Sequence, residues 1–202
     1  MLQMVALDPP CRILFEEEKG SSLEAYLSFC LANPNLRVER TAEGEVVLMA
    51  PAGAESSNRS LKVGTQLQLW AEVDGTGVAF DSSVEYVLPD GSALCPDASW
   101  VSNKVMRRLT PAQRKQFPRL APEFVVEVMS PSDRLKTAKE KMNVWISNGV
   151  QLGWLIDGDA KTVYVYLAGS EPRSKRGVPQ LAGEGPVEGF VLQLKSIWKG
   201  LH

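Results

Sequence analysis

The run Phe124-Val125-Val126-Glu127-Val128-Met129 sets one carboxylate inside a short apolar stretch of the kind that fills buried strands. An ionised carboxylate there is costly to desolvate unless it is paired or bound to a metal. Asp97 poses the same question, because it follows Pro96 and opens a second β-prone run that leads through Trp100 to Val101. If the two carboxylates converge, their repulsion raises the pKa of one of them unless a cation lies between. Mg²⁺ or Mn²⁺ would suit such a pair, since hard ions are often held by one or two carboxylates with waters and phosphate oxygens completing the shell. The chemistry implied is phosphodiester hydrolysis, in which the metal activates a water and offsets charge developing on the phosphate. Structural ion pairs would account for each carboxylate equally well.

A lysine near such a pair would orient the water or stabilise the oxyanion. The candidates follow Ser130-Pro131-Ser132-Asp133, where Leu135, Ala138, Met142, Trp145 and Ile146 repeat at helical spacing over residues 133 to 148. At about 100° per residue, Lys139 and Lys141 flank opposite sides of this stripe, and Lys136 points farther toward solvent. Spacing leaves Lys139 and Lys141 both open.

The elements that must position these groups can be read in outline. Ser21 with Glu24 forms a capping box for a helix over residues 21 to 31. Short β-prone runs follow at 36 to 39 and 45 to 49, with Glu43-Gly44 between them as a hairpin turn. Residues 57 to 73 are helix-compatible, and Leu61, Val63, Leu67, Leu69, Trp70 and Val73 occupy more than one face, which predicts a mostly buried helix. Strands are expected at 78 to 80, 84 to 88, 97 to 101 and 124 to 129. Thr110-Pro111-Ala112-Gln113 has the pattern of a helix start. Residues 152 to 156 and 162 to 167 predict a hairpin around Asp157-Gly158-Asp159, residues 169 to 177 a mobile loop, and 187 to 194 a last strand. No regular βαβ rhythm persists, so the expected fold class is mixed α/β (α+β), with a mixed central β-sheet flanked by helices. A chain of 202 residues predicts one domain, residues 1 to 202.

Composition removes several function classes. The single histidine is His202, at the end of the chain, so catalytic triads, histidine zinc sites and imidazole bases are unsupported. Three cysteines, at 11, 30 and 95, form no C-x-x-C pair and suggest a reducing cytoplasm. No stretch reaches the roughly 18 apolar residues of a membrane helix, and no export signal is read. The net charge of -2 provides no global attraction toward phosphates. Arg107, Arg108, Arg114, Lys115 and Arg119 cluster locally, and a solvated helix face explains them more simply than a nucleic-acid patch.

The order Pro96-Asp97, then residues 122 to 128, Ser130-Pro131-Ser132, Lys141, Trp145, Gly149-Val150 and Trp154-Leu155-Ile156-Asp157 resembles the Uma family of restriction-endonuclease-like proteins in the PD-(D/E)XK superfamily. The resemblance spans about residues 20 to 195. It implies a restriction-endonuclease-like fold, a Mg²⁺- or Mn²⁺-dependent endonuclease acting on DNA, and Asp97 and Glu127 as the two acidic positions. The superfamily's lysine position, two after the glutamate, holds Met129, and the resemblance transfers the role to Lys141. It also matches Glu55 to an acidic residue of the early helix that would hold the metal through water. A homodimer would let such an enzyme reach both strands of a duplex. The alternatives are a non-enzymatic binding or regulatory domain that keeps the fold, and a hydrolase of small phosphorylated substrates with an enclosed pocket.

Overall fold

The computed structural model describes residues 11–13 and 22–201; Ser21 and His202 lie outside them. The chain runs through β1 (Cys11–Ile13), α1 (Leu23–Ala32), β2 (Val38–Arg40), β3 (Val46–Leu48) and the long helix α2 (Ala54–Asp74). It continues through β4 (Gly77–Asp81), β5 (Tyr86–Val87), β6 (Ala93–Leu94), β7 (Ala98–Ser102), α3 (Asn103–Met106) and β8 (Phe124–Val128). Helix α4 (Leu135–Ser147) then precedes β9 (Leu152–Asp157), β10 (Thr162–Leu167), β11 (Arg173–Arg176), β12 (Gln180–Ala182), β13 (Val191–Gln193) and α5 (Lys195–Lys199).

The main sheet has the order β11-β10-β9-β8-β7-β4 and is mixed, as the sequence predicts. All its pairs are antiparallel except β8 with β9, where Phe124 stands opposite Leu152 and Val128 opposite Ile156. A parallel pair needs a crossover, and α4 provides it. A smaller antiparallel sheet, β1-β3-β2-β6-β5, carries α1, while β12 and β13 form a separate ribbon.

The pleat of β8 divides the core. Phe124, Val126 and Val128 pack with Val63, Leu67 and Ala71 of α2 on one face, together with Trp154 and Phe190. Val125 faces the other side, with Met142 and Trp145 of α4 and with Tyr86.

Helix α1 is capped by Ser22, whose Oγ accepts the Ala25 N–H at 3.1 Å. The expected burial of most of α2 is not found. Val63, Leu67 and Ala71 are buried, but Leu61, Leu69 and Val73 are 66%, 59% and 89% exposed, because the helix meets the sheet along one stripe only. The expected loop at 169 to 177 instead contains edge strand β11, with Arg173, Lys175 and Arg176 exposed. Charges on an edge strand discourage pairing with further chains. At Thr110 the reciprocal bonds with Gln113 do form, yet they open only a 3-10 turn, Gln113–Lys115. The last strand is shorter than predicted, because a second 3-10 turn, Gly185–Val187, precedes it.

Candidate functional site

Alternation along β8 turns Glu127 toward α4, the face opposite to Val126 and Val128. There Glu127 Oε1 accepts from the Trp145 indole Nε1 at 2.8 Å and lies 3.0 Å from Lys141 Nζ. Lys141 and Trp145 are four residues apart on α4 and so share one side of the helix. The ammonium also donates to Glu39 Oε1 at 2.7 Å and to the Cys95 carbonyl at 3.1 Å. Its three donors therefore have three acceptors.

Asp97 reaches the same end of the sheet through the β7–β8 register, in which Ala98 stands opposite Val126. Its Oδ2 accepts the Val128 N–H at 2.7 Å and its Oδ1 the Ser60 hydroxyl of α2 at 3.3 Å. Glu39 arrives from the smaller sheet, and its Oε1 accepts the Cys95 N–H at 2.9 Å as well as Lys141. Only 12% of the Glu127 side chain, 9% of Glu39 and 21% of Lys141 is exposed. Charges held this far from water interact strongly.

Burial pushes the Glu127 carboxyl up to about 7, with Asp97 and Glu39 adding to the rise and Lys141 and the Trp145 bond opposing it. Burial likewise raises Asp97, against the pull of the Val128 N–H and Lys141. For Lys141, burial alone would lower the ammonium, but Glu127 and Glu39 outweigh it and hold it above its ordinary value. The lysine thus stays protonated while the carboxylates compete for charge compensation.

The structure brings Asp97, Glu127 and Lys141 into this one cluster. Glu55 has a different engagement: its Oε1 lies 3.0 Å from Arg59 Nη2, and Arg59 Nη1 reaches Asp159 at 2.9 Å. Lys139, the other spacing candidate, sits 4.4 Å from the centroid of the Tyr164 ring. Lys136 is exposed beside Glu140. The basic residues Arg107, Arg108, Arg114, Lys115 and Arg119 are all exposed. Glu39 is the participant that sequence reasoning missed. Its one signal is a charge beside Val38 in a β-prone run, and with Arg37 and Arg40 adjacent nothing in the sequence marks it as buried.

Among the described residues, no three Asp, Glu, His or Cys side chains converge as a cage for a metal ion. Asp97 and Glu127 would suit only an ion that keeps much of its water. Glu39 and Glu127 contact the one ammonium, Asp97 feels it only electrostatically, and Glu127 Oε2 receives no hydrogen bond from the described residues. Beyond the end of β8 lies an open depression of about 260 Å³, lined in part by Met129, Asp133, Asp157 and Asp159. Asp133 and Asp157, with Asp159 paired to Arg59, give this lining no attraction for a phosphate.

No helix among the described residues is long and apolar enough to cross a membrane. No curated protein matches the chain. Its fold is similar to the crystal structure of "a putative nuclease belonging to DUF820" from Anabaena variabilis ATCC 29413, with a TM-score of 0.70 at 20% identity. That similarity covers 88% of this chain and 97% of the other, and it shows a shared fold. The family described as "Uma2: Putative restriction endonuclease" matches residues 23–195, and the chain belongs to that family.

Proposed function

We propose that the chain is a metal-dependent nuclease that hydrolyses phosphodiester bonds in DNA, with Asp97 and Glu127 holding Mg²⁺ or Mn²⁺ and Lys141 as the catalytic cation. The observation that carries this reading is the Lys141 ammonium 3.0 Å from Glu127 at the sheet end where Asp97 is tied to Val128. When bound, the metal would supply Lewis acidity and an activated water. The chain's own residues do the positioning. Trp145 fixes the Glu127 carboxylate from one side, leaving Oε2 available, while the Val128 N–H and Ser60 hold Asp97. Lys141 offsets negative charge that develops on the phosphate, a role that suits an ammonium fixed before substrate arrives. Glu55, which the resemblance matches to a ligand acting through water, is paired with Arg59 through Oε1. A homodimer would present two such sites to the two strands of a duplex.

The test is cleavage of plasmid DNA with Mg²⁺ and Mn²⁺, comparing wild type with Asp97→Ala. Metal-dependent cutting by wild type and a loss of roughly 100-fold or more in the variant are expected. Equal cutting by both proteins without metal would exclude this site.

One observation favours a non-enzymatic binding domain: all three Lys141 donors are already used within the protein. That reading predicts no heat of Mn²⁺ binding in calorimetry, and no metal-dependent cleavage. The reading as a hydrolase of small phosphorylated substrates gains nothing from the acidic lining of the neighbouring depression.

A further inference from the structure

We propose that Glu39 is a positioning residue for cleavage, anchoring both the Lys141 ammonium and the segment that leads into Asp97, so that the two stand ready beside Glu127. This inference rests on the nuclease reading above. Glu39 is 7% exposed, and its single oxygen Oε1 takes two donors, the Cys95 N–H at 2.9 Å and Lys141 Nζ at 2.7 Å. The carbonyl of the same Cys95 accepts Lys141 at 3.1 Å, which closes a ring of three hydrogen bonds. The ring joins β2 of the smaller sheet, the backbone two residues before Asp97, and the middle of α4. Strand β2 is itself held to β6 by the pairing of Arg40 with Ala93, two residues before Cys95. The smaller sheet therefore delivers a carboxylate to the candidate site.

A purely structural pair explains this arrangement poorly. Buried ion pairs are weak contributors to net stability, and an apolar pair of similar volume would serve the core as well. Lys141 is shared, moreover, between Glu39 and the carboxylate assigned to the metal. Once Glu127 engages a cation, like charge pushes the ammonium away from it. Glu39 and the Cys95 carbonyl are what keep the ammonium in place. A displacement of about 1 Å in such a group is enough to slow chemistry by roughly 100-fold.

The test uses the full chain and two variants. Glu39→Gln keeps the size and an acceptor oxygen but removes the charge, and Glu39→Asp keeps the charge but withdraws it by one methylene. Four quantities are measured: the melting transition, Mn²⁺ affinity by calorimetry, plasmid cleavage at varied DNA concentration, and acetylation of Lys141 by acetic anhydride in Mg²⁺, read by mass spectrometry. In Glu39→Gln we expect Mn²⁺ affinity and KM near wild type, kcat lower by roughly 10- to 100-fold, and Lys141 acetylated several-fold faster. Glu39→Asp should recover part of the rate. A folded Glu39→Gln with wild-type kcat and wild-type Lys141 acetylation overturns the role of Glu39 alone. Wild-type protein that binds no Mn²⁺ and cuts no DNA overturns the nuclease reading, and the role in cleavage with it. If Glu39→Gln shows no melting transition, Glu39→Asp carries the test: a reduced kcat at unchanged KM supports the proposal, and a wild-type kcat overturns it.

Discussion

The ammonium of Lys141 has two tasks in the metal-free protein, since it offsets Glu127 and Glu39 as well as standing ready for substrate. Lys141→Met should therefore do more than slow cleavage. It leaves two buried carboxylates without their cation, a loss on the order of 3–5 kcal/mol that proton uptake by Glu127 would reduce. Added Mn²⁺ should restore much of that stability, because the remaining cluster has more need of a cation. Cleavage should fall by roughly 100- to 1000-fold even with metal bound. Lys139→Met removes one ring contact, worth about 0.5–1 kcal/mol, and should cut near the wild-type rate. Urea unfolding with and without Mn²⁺, beside single-turnover cleavage, checks both variants. Survival of cutting in Lys141→Met together with its loss in Lys139→Met would reverse the assignment. The need of Glu127 for a partner is legible because a charge amid apolar strand residues is costly to bury, and Asp97, one residue before β7, signals it more weakly. Spacing alone could not separate Lys141 from Lys139, because both flank the same stripe and only the packed sheet shows which side faces Glu127. Glu39 was not legible, since its partners lie 56 and 102 positions away in the chain.

At the scale of elements, the site depends on how closely α4 rests on β9. Gly153 permits that approach: a Cβ there would run into the Met142 side chain, next to Lys141, and would touch Val125 at 3.4 Å. Gly153→Val should push α4 outward, at a cost of about 1–3 kcal/mol, the scale for overfilling a packed core. The urea midpoint should drop accordingly, and cleavage by the folded protein should drop too, because Lys141 moves with the helix. A wild-type midpoint would show that α4 is not seated through this contact. Helix α4 itself was readable from its apolar stripe, and Gly149 follows it at a φ of 105°, a conformation that favours glycine. The buried face of α2 is not legible from residue type, because leucine and valine indicate preference for burial, whereas actual burial depends on which neighbours are available. Strand β11 reads as a loop in the sequence because Arg173, Lys175 and Arg176 lack any apolar alternation, and only its register with β10 identifies it as a strand.

At the scale of the whole molecule, the mixed central sheet was foreseeable from strand and helix order, but the separate smaller sheet was not. Strands β5 and β6 have two residues each, too few for periodicity to show. That smaller sheet carries a second buried carboxylate, Glu85, hydrogen-bonded to the Tyr26 hydroxyl of α1. Burial pushes Glu85 from 4.5 up to about 7, with Glu39 adding to the rise and the Tyr26 bond opposing it. Below about pH 4.5 the group is protonated in both folded and unfolded chains, and its full contribution is present. Between about 4.5 and 7 the folded protein keeps a proton that the unfolded chain has released, so stability falls as pH rises. Above about 7 the loss is complete, at most about 3 kcal/mol for a shift of this size. Urea unfolding at a series of pH values from 5 to 8 should therefore show a declining free energy. Glu85→Gln, which keeps an acceptor for Tyr26 but cannot ionise, should flatten the decline and be more stable than wild type at pH 8. Glu127 titrates over the same range with the same sign, so some slope should persist in the variant. An unchanged slope in Glu85→Gln would mean that Glu85 does not hold its proton in the folded protein, and that the smaller sheet bears its buried charge by other means.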